Sequence, residues 1–454
     1  MITLRPYQSA AAAAALRIAE SGAGGPVVLM FARQSGKNET SAYIERSLML
    51  LRAGQRGGTG IKAAPTLKPQ AEISRRRLLR SLRDAGISRL VRSSDNFIEV
   101  GRSRWGFFSA GKEAGVVGQT ADIALECDEA QDVDADKWNK DFMPMAATTN
   151  APAIYYGTPW TDSDLLAQAA AQAADVQTSS SPRLFIVKWD IVAELLPEYG
   201  RYVERERARL GANHPLFLTQ YEMATIPGAG RLLSPAQLAA MRGQHARELT
   251  PSPNCHYVAG VDVAGEDSET PLRGRDSTVL TIARVIFPAL SGQPPDAEIV
   301  QTYEWRGDPH EQLYAAIAAI CKTWRARRVA VDTTAAGEAL GLYLSHALTA
   351  EKVIRYRFTQ VSKSALGFAL QAAATTGRLT MFADDSHGAD GDYAEAFRQL
   401  AACRAEYKPN RTVAWYVAAG DGHDDYVASI ALANHAAEQS PPPAVARGRV
   451  PARS

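Results

Sequence analysis

From Pro26 to Phe31 the chain reads Pro-Val-Val-Leu-Met-Phe, an apolar run with no alternation. A strand covered on both faces reads this way, as in a parallel sheet packed between helices. Similar runs recur at Ala121–Cys127 and at Ala153–Thr158, and a helical stretch, Asn38–Leu51, follows the first of them. Strands and crossover helices in this order predict an α/β domain with a parallel sheet over residues 1–185.

Beyond the apolar run at 184–189 the pattern changes. Residues 186–252 hold charged helical segments (197–210 and 234–244) broken by Pro and Gly, which predicts a linker or subdomain. From Tyr257 strands return at 257–264, 277–287 and 297–305, then a helix over Tyr314–Trp324, a strand at 328–333, and further alternation to Ala437. This predicts a second α/β domain over 253–438. The tail, 439–454, is Pro, Arg and Ala with little to bury, and is expected to be disordered.

A length of 454 residues supports this division, since single cores stop growing near roughly 250–300 residues. With 46% hydrophobic and 22% charged residues and no uninterrupted apolar stretch of about 20, the chain reads as globular and not as a membrane protein. The Ala-rich run Ser9–Ala15 lacks a basic segment before it and is interrupted by Arg17, so it reads as an ordinary helix rather than a secretory signal. Four cysteines, none in a CxxC pair, argue against a disulfide framework or a zinc site and fit a reducing cytoplasm. The net charge of +1 predicts no global attraction to nucleic acid. Basic residues are nonetheless crowded into one segment: Arg52, Arg56, Lys62, Lys68, Arg75, Arg76, Arg77, Arg80, Arg83, Arg89, Arg92, Arg102, Arg104 and Lys112. A polyanion could therefore be met by one local face.

The first apolar run leads into Ala32-Arg33-Gln34-Ser35-Gly36-Lys37-Asn38 and then a helix. That is the context of a phosphate-binding loop, in which backbone N–H groups and the Lys37 ammonium converge on nucleotide phosphates. Ala32 stands where such loops carry their first Gly, and Asn38 where they carry a Mg²⁺-binding hydroxyl. The strand Ile123–Cys127 ends in Asp128-Glu129, which would hold Mg²⁺ and polarise the attacking water respectively. Leu4–Gln8 resembles the adenine-reading element of helicase-like ATPases, in which the Gln amide can donate to and accept from the adenine edge at once. Thr158, at the tip of the 153–158 run, could touch the γ-phosphate or the attacking water and pass its shift on hydrolysis to the next element.

A second group of acids follows. Asp262 interrupts an apolar strand, Asp332 ends another, and Asp424-Asp425 open the helix Tyr426–Ala437. An unpaired buried carboxylate is costly, so such residues should face a cation. Three carboxylates placed in this way are what a ribonuclease H-like fold uses to hold two Mg²⁺ or Mn²⁺ ions for phosphodiester cleavage. His423 and Asp276 are further neighbours without an assigned role.

The segments Ala32–Glu39, Cys127–Gln131, Tyr155–Trp160, Gly260–Ala264 and Gly422–Ala433, in this order, resemble the terminase large subunits of tailed phages, from about Arg5 to Ala437. The resemblance implies a P-loop ATPase domain followed by a ribonuclease H-like nuclease domain. It implies Lys37 on the phosphates of ATP with Arg33 nearby, Asp128 on Mg²⁺, Glu129 as hydrolysis base and Thr158 in the coupling element. Asp262, Asp332 and Asp424 or Asp425 would be the nuclease ligands. It implies double-stranded DNA, a procapsid portal and a terminase small subunit as partners, assembly into a homo-oligomer on the portal, and action in the host cytoplasm. Two other readings share these residues: a helicase- or translocase-type ATPase fused to a repair or recombination nuclease, and a catalytically silent prophage remnant that serves only in DNA binding or assembly.

Overall fold

Val27, Leu29 and Phe31 pack on one face of their strand and Val28 and Met30 on the other, each set into its own hydrophobic core, so the uninterrupted apolar run is a strand covered on both sides. The computed structural model describes residues 3–442 except 55, 112, 116–117, 265–276, 289–292, 335–336, 385–390 and 419. Lys112, Asp276 and residues 443–454 of the tail therefore lie outside the described residues.

The chain forms two units: residues 1–207, 215–228 and 409–411, and residues 208–214, 229–408 and 412–454. The stretch 186–252, expected to stand apart, is instead divided between them. Its helices Trp189–Leu195 and Pro215–Gln220 belong to the first unit and the helix Pro235–Ala240 to the second. The reason is visible in the packing, since Val192 is in the first core and Leu232, Leu233 and Met241 are in the second.

The first unit is built on eight strands: β1 (Pro26–Phe31), β2 (Gly58–Ala64), β3 (Val91–Ser93), β4 (Phe97–Val100), β5 (Ser103–Ser109), β6 (Ala124–Cys127), β7 (Ala153–Gly157) and β8 (Leu184–Val187). Their order is β3-β4-β5-β2-β6-β7-β1-β8, parallel from β5 onward, with β3 and β4 an antiparallel edge. The helices Pro6–Ser21, Lys37–Arg52 and Glu72–Asp84 cover one face through Ala11, Ile44, Leu48, Leu78 and Leu82. Trp138, Phe142, Leu165 and Leu166 cover the other.

The second unit contains β9 (Ala229–Arg231), β10 (His256–Asp262), β11 (Thr278–Ile286), β12 (Asp296–Trp305), β13 (Val329–Asp332), β14 (Val353–Tyr356), β15 (Leu379–Met381), β16 (Arg404–Tyr407) and β17 (Val413–Tyr416). The main sheet runs β14-β13-β10-β11-β12-β15, with β10, β11 and β12 an antiparallel meander and β13 and β14 parallel to β10. Three antiparallel strands followed by parallel additions on the first strand's free edge are the ribonuclease H-like arrangement. The helix Asp425–Glu438 lies across β10, where a Cβ on Gly260 would stand 2.2 Å from the Ser429 carbonyl and the Ala433 nitrogen. Only glycine allows that approach. The small residues of this helix, buried almost throughout, are explained by the same closeness.

One member of the basic segment lies inside the unit rather than on its surface. Lys62 is 2% exposed in the first unit, 2.8 Å from Glu45 and 3.6 Å from Glu126. Burial alone would lower its pKa, but the two carboxylates outweigh it and hold the ammonium above the ordinary lysine range. Arg52, Arg76 and Arg77 are paired with Glu20, Glu72 and Glu39, and Arg104 donates to Thr59. Among the described residues no helix is long and apolar enough to cross a membrane.

Candidate functional sites

The carboxyl ends of β1, β6 and β7 open on one cavity of about 570 Å³ in the first unit, lined among others by Arg33, Gln34, Gly36, Lys37, Asn38, Ser74, Asp128, Glu129 and Thr158. Ligand sites of open parallel sheets lie at this end of the strands. The loop after β1 turns through Gln34 (φ 62°) and Gly36 (φ 92°), both left-handed, before the helix starts at Lys37. A Cβ on Gly36 would meet the Gln8 amide nitrogen at 2.4 Å, so the turn requires glycine.

Lys37 Nζ lies 2.9 Å from Glu129 Oε1. Glu129 follows β6 with a left-handed backbone (φ 49°), a conformation that non-glycine residues keep only where the surroundings enforce it. Burial would raise its carboxyl pKa, but Lys37, then Arg411 and Gln131, outweigh it and hold the group down at about 2. Glu129 is therefore an ionised, tethered carboxylate. Asp128 accepts from Ser74 Oγ at 2.9 Å on one oxygen and from the Glu129 amide at 3.1 Å on the other. Gln131 bridges the ends of β6 and β7, donating to Glu129 Oε2 (2.8 Å) and accepting from the Thr158 amide (3.2 Å). Arg411, which groups with this unit, reaches Thr158 Oγ1 (3.2 Å), Glu129 Oε2 (3.4 Å) and Asp132 Oδ1 (3.2 Å).

In the second unit β10 and β13 are parallel neighbours in register through Val261 and Val331, so Asp262 and Asp332 come at the same end of adjacent strands. Asp425, first residue of the helix across β10, completes the group. Burial, then the charges of Asp425, Asp332 and Asp424, push the Asp262 carboxyl well above the ordinary range, while Lys363 opposes them. The acids do not converge as closely as the sequence suggested: among the described residues no three His, Cys, Asp or Glu side chains form a group that could hold a metal as placed. Asp332, Asp425 and Asp424 are each held by a donor of their own. Thr334 donates to Asp332 Oδ1 through its amide (2.8 Å) and hydroxyl (2.7 Å). The Ser277 amide donates to Asp425 Oδ2 (2.8 Å), and Lys363 Nζ lies 3.1 Å from Asp424 Oδ2 and 4.3 Å from the Trp415 ring centre. The acids offer only oxygen ligands, the chemistry that suits a hard divalent cation.

No family model and no curated protein matches the sequence. Among solved structures, the large terminase of bacteriophage HK97 is 14% identical over 96% of this chain and 95% of that one, at a TM-score of 0.40. The large terminase of a thermophilic bacteriophage is 12% identical over 94% of this chain and 98% of that one, at a TM-score of 0.51, and its complex with ADP gives 0.50. The chain has the large-terminase fold. The α/β fold class expected from the sequence is thereby borne out.

Two of the residues expected to contact nucleotide have their side chains engaged elsewhere. Gln8 is 2% exposed, and its amide is spent on the backbone, donating to the Gly36 carbonyl (2.9 Å) and accepting from the Arg5 N–H (2.9 Å). It braces the loop from behind, as does Tyr7 through the Ser35 carbonyl (2.6 Å). The Ser35 hydroxyl is fully buried and donates to the Ala32 carbonyl (2.6 Å). Conversely, Ser74, Gln131, Lys363 and Arg411 stand at the sites and were not anticipated. For Gln131 a signal existed, since it closes the motif Cys127–Gln131; the others come from distant segments with no local pattern.

Proposed function

We propose that this chain is an ATP-driven DNA-packaging motor with its own nuclease, the large subunit of a tailed-phage terminase. The observation that carries the proposal is the presence, in one large-terminase fold, of a first unit whose cavity is lined by Lys37, Asp128, Glu129 and Thr158, and of a second unit whose ribonuclease H-like sheet ends neighbouring strands in Asp262 and Asp332, with Asp425 opening the helix across it. In this reading Lys37 and the loop 33–38 bind the β and γ phosphates of ATP, with Arg33 at the mouth. Asp128 and the polar groups around it hold Mg²⁺, which neutralises charge on the phosphates when bound. Lys37 leaves Glu129 as it turns to the phosphates, and the freed carboxylate, no longer held down by that ammonium, orients and deprotonates the attacking water. Gln131 carries the change from Glu129 to Thr158.

In the second unit, Asp262, Asp332 and Asp425 would hold two Mg²⁺ or Mn²⁺ ions, and the chemistry such ions would supply is activation of water and stabilisation of the leaving oxygen of a phosphodiester. Of the pair, Asp425 is the better placed as ligand, since it opens the helix across β10 while Asp424 is paired with Lys363. Asp424 holds Lys363 beside the site. The substrate is duplex DNA gripped through its phosphates, so binding weakens steeply with salt. Work at a procapsid portal with a small subunit and further copies of this chain completes the reading.

The test is plasmid cleavage with Mg²⁺ or Mn²⁺ by the purified chain and by Asp262→Ala, with ATP hydrolysis by both recorded in parallel. Cleavage lost in the variant while both hydrolyse ATP is the expected result. Cleavage that survives the substitution sinks the nuclease assignment, and absence of ATP turnover sinks the motor.

A further inference from the structure

Where a phosphate-binding loop carries a hydroxyl, this chain has Asn38. Its side chain lines the cavity, yet among the described residues the side-chain hydroxyl that reaches Asp128 belongs to Ser74, at 2.9 Å from Oδ2. Ser74 sits on the helix Glu72–Asp84, whose inward stripe is Ser74, Leu78, Ser81 and Leu82, the spacing of a buried helix face. At 4% exposure a serine in that stripe loses its water, a cost that a hydrogen bond must offset, and Asp128 is the partner it finds. The same helix and the turn before it wall the cavity with Gln70, Ile73 and Arg77.

A hydroxyl has a particular competence here: it can donate its proton to a carboxylate while the lone pairs of the same oxygen stay available to a hard cation. A carboxamide divides those two tasks between two atoms. Among the described residues no donor reaches the Ser74 hydroxyl oxygen, which stands beside Asp128 in the cavity that also holds Lys37 and Glu129.

We propose that Ser74 supplies the oxygen that the loop lacks at position 38, and that Ser74 and Asp128 together seat the magnesium ion that accompanies the nucleotide. The proposal rests on the cavity being a nucleotide site. It assigns the Mg²⁺ shell to a side chain outside the phosphate-binding loop, so that cation affinity depends on the position of the helix Glu72–Asp84.

The experiment measures binding of the fluorescent nucleotide mant-ATP to the full-length chain over a series of MgCl₂ concentrations and in EDTA. Ser74→Ala is expected to need roughly 10- to 100-fold more Mg²⁺ for the same nucleotide affinity, the usual range for loss of a metal-supporting group, with affinity in EDTA unchanged. Adding Asn38→Ser to that variant restores the Mg²⁺ dependence, and Ser74→Thr, which keeps the hydroxyl, binds as the wild type does. Ser74→Cys stays poor with Mg²⁺ and recovers with thiophilic Cd²⁺. The proposal is overturned if Ser74→Ala follows the wild-type Mg²⁺ curve, if its loss persists in EDTA, or if Asn38→Ser fails to restore it. A wild-type chain that binds no mant-ATP at any Mg²⁺ concentration removes the nucleotide reading itself, a result distinct from these.

Discussion

Lys37 and Glu129, 92 residues apart in the chain, meet at 2.9 Å across the cavity of the first unit. A base held in an ion pair is a poor base, and a lysine held by a carboxylate is not yet on a phosphate. The two roles are released together when Lys37 changes partner. Glu129→Gln should therefore bind mant-ATP about as well as the wild type while hydrolysis falls by about 10²- to 10⁴-fold, the usual contribution of general-base catalysis. Lys37→Ala should lose binding first. Steady-state hydrolysis and fluorescence titration on the two variants separate the effects, and a Glu129→Gln protein that turns over normally would show that the water is activated elsewhere.

Gln131 ties the same carboxylate to Thr158, using its amide nitrogen toward one and its oxygen toward the other. Gln131→Ala leaves both partners in place and removes the bridge, at a cost of about one or two hydrogen bonds. The expected signature is a fall in kcat of about tenfold with little change in KM for ATP. A rise in KM with kcat intact would place Gln131 among the binding groups instead.

The fold was legible because its elements carry periodicity: runs buried on both faces read as strands, and the Ala-rich stretches at 9–15 and 426–437 read as helices. The loop Ala32–Asn38 and the pair Asp128-Glu129 were legible because sequence-local context, strand then turn then helix, is itself the chemistry. Gln8 was harder to read, since a motif shows which residue is near the loop but not that its amide is already bonded to Gly36 and Arg5. Ser74 and Lys363 could not be found, because each reaches its acid across 54 and 61 residues respectively and nothing in the intervening sequence records the approach. Lys62 shows the converse limit: charge composition counted it with a surface it never joins.

Asp262 gives a pH-dependent prediction. Its carboxyl is raised by burial and by Asp425, Asp332 and Asp424. The folded chain thus keeps this proton to a higher pH than the unfolded chain, so stability falls as pH rises from the unfolded value near roughly 3.9 through the raised folded one. In EDTA near neutral pH, Asp262→Asn should melt higher than the wild type, by about 2–4 °C if about 1 kcal/mol of repulsion is relieved. Adding Mn²⁺ should raise the wild type and leave the variant nearly unmoved. A variant that melts lower in EDTA would mean that Asp262 is stabilised by contacts rather than strained by its neighbours.

Lys363 brings a favourable charge to that group, and it is held in place by Asp424 at 3.1 Å and by the face of Trp415 at 4.3 Å. Its ammonium opposes the rise in the Asp262 carboxyl, so removing it should make Asp262 and Asp332 harder to ionise. Because metal binding by carboxylates requires their charged form, Lys363→Met should shift the acid limb of DNA cleavage toward higher pH, with part of the lost activity recovered at alkaline pH. Lys363→Arg keeps the charge and should keep the limb where the wild type has it. Cleavage profiles of the three proteins at saturating Mn²⁺ decide the matter: an acid limb that stays put in Lys363→Met, with activity lower at every pH, would assign Lys363 to gripping the DNA phosphate rather than to setting the charge of the acids.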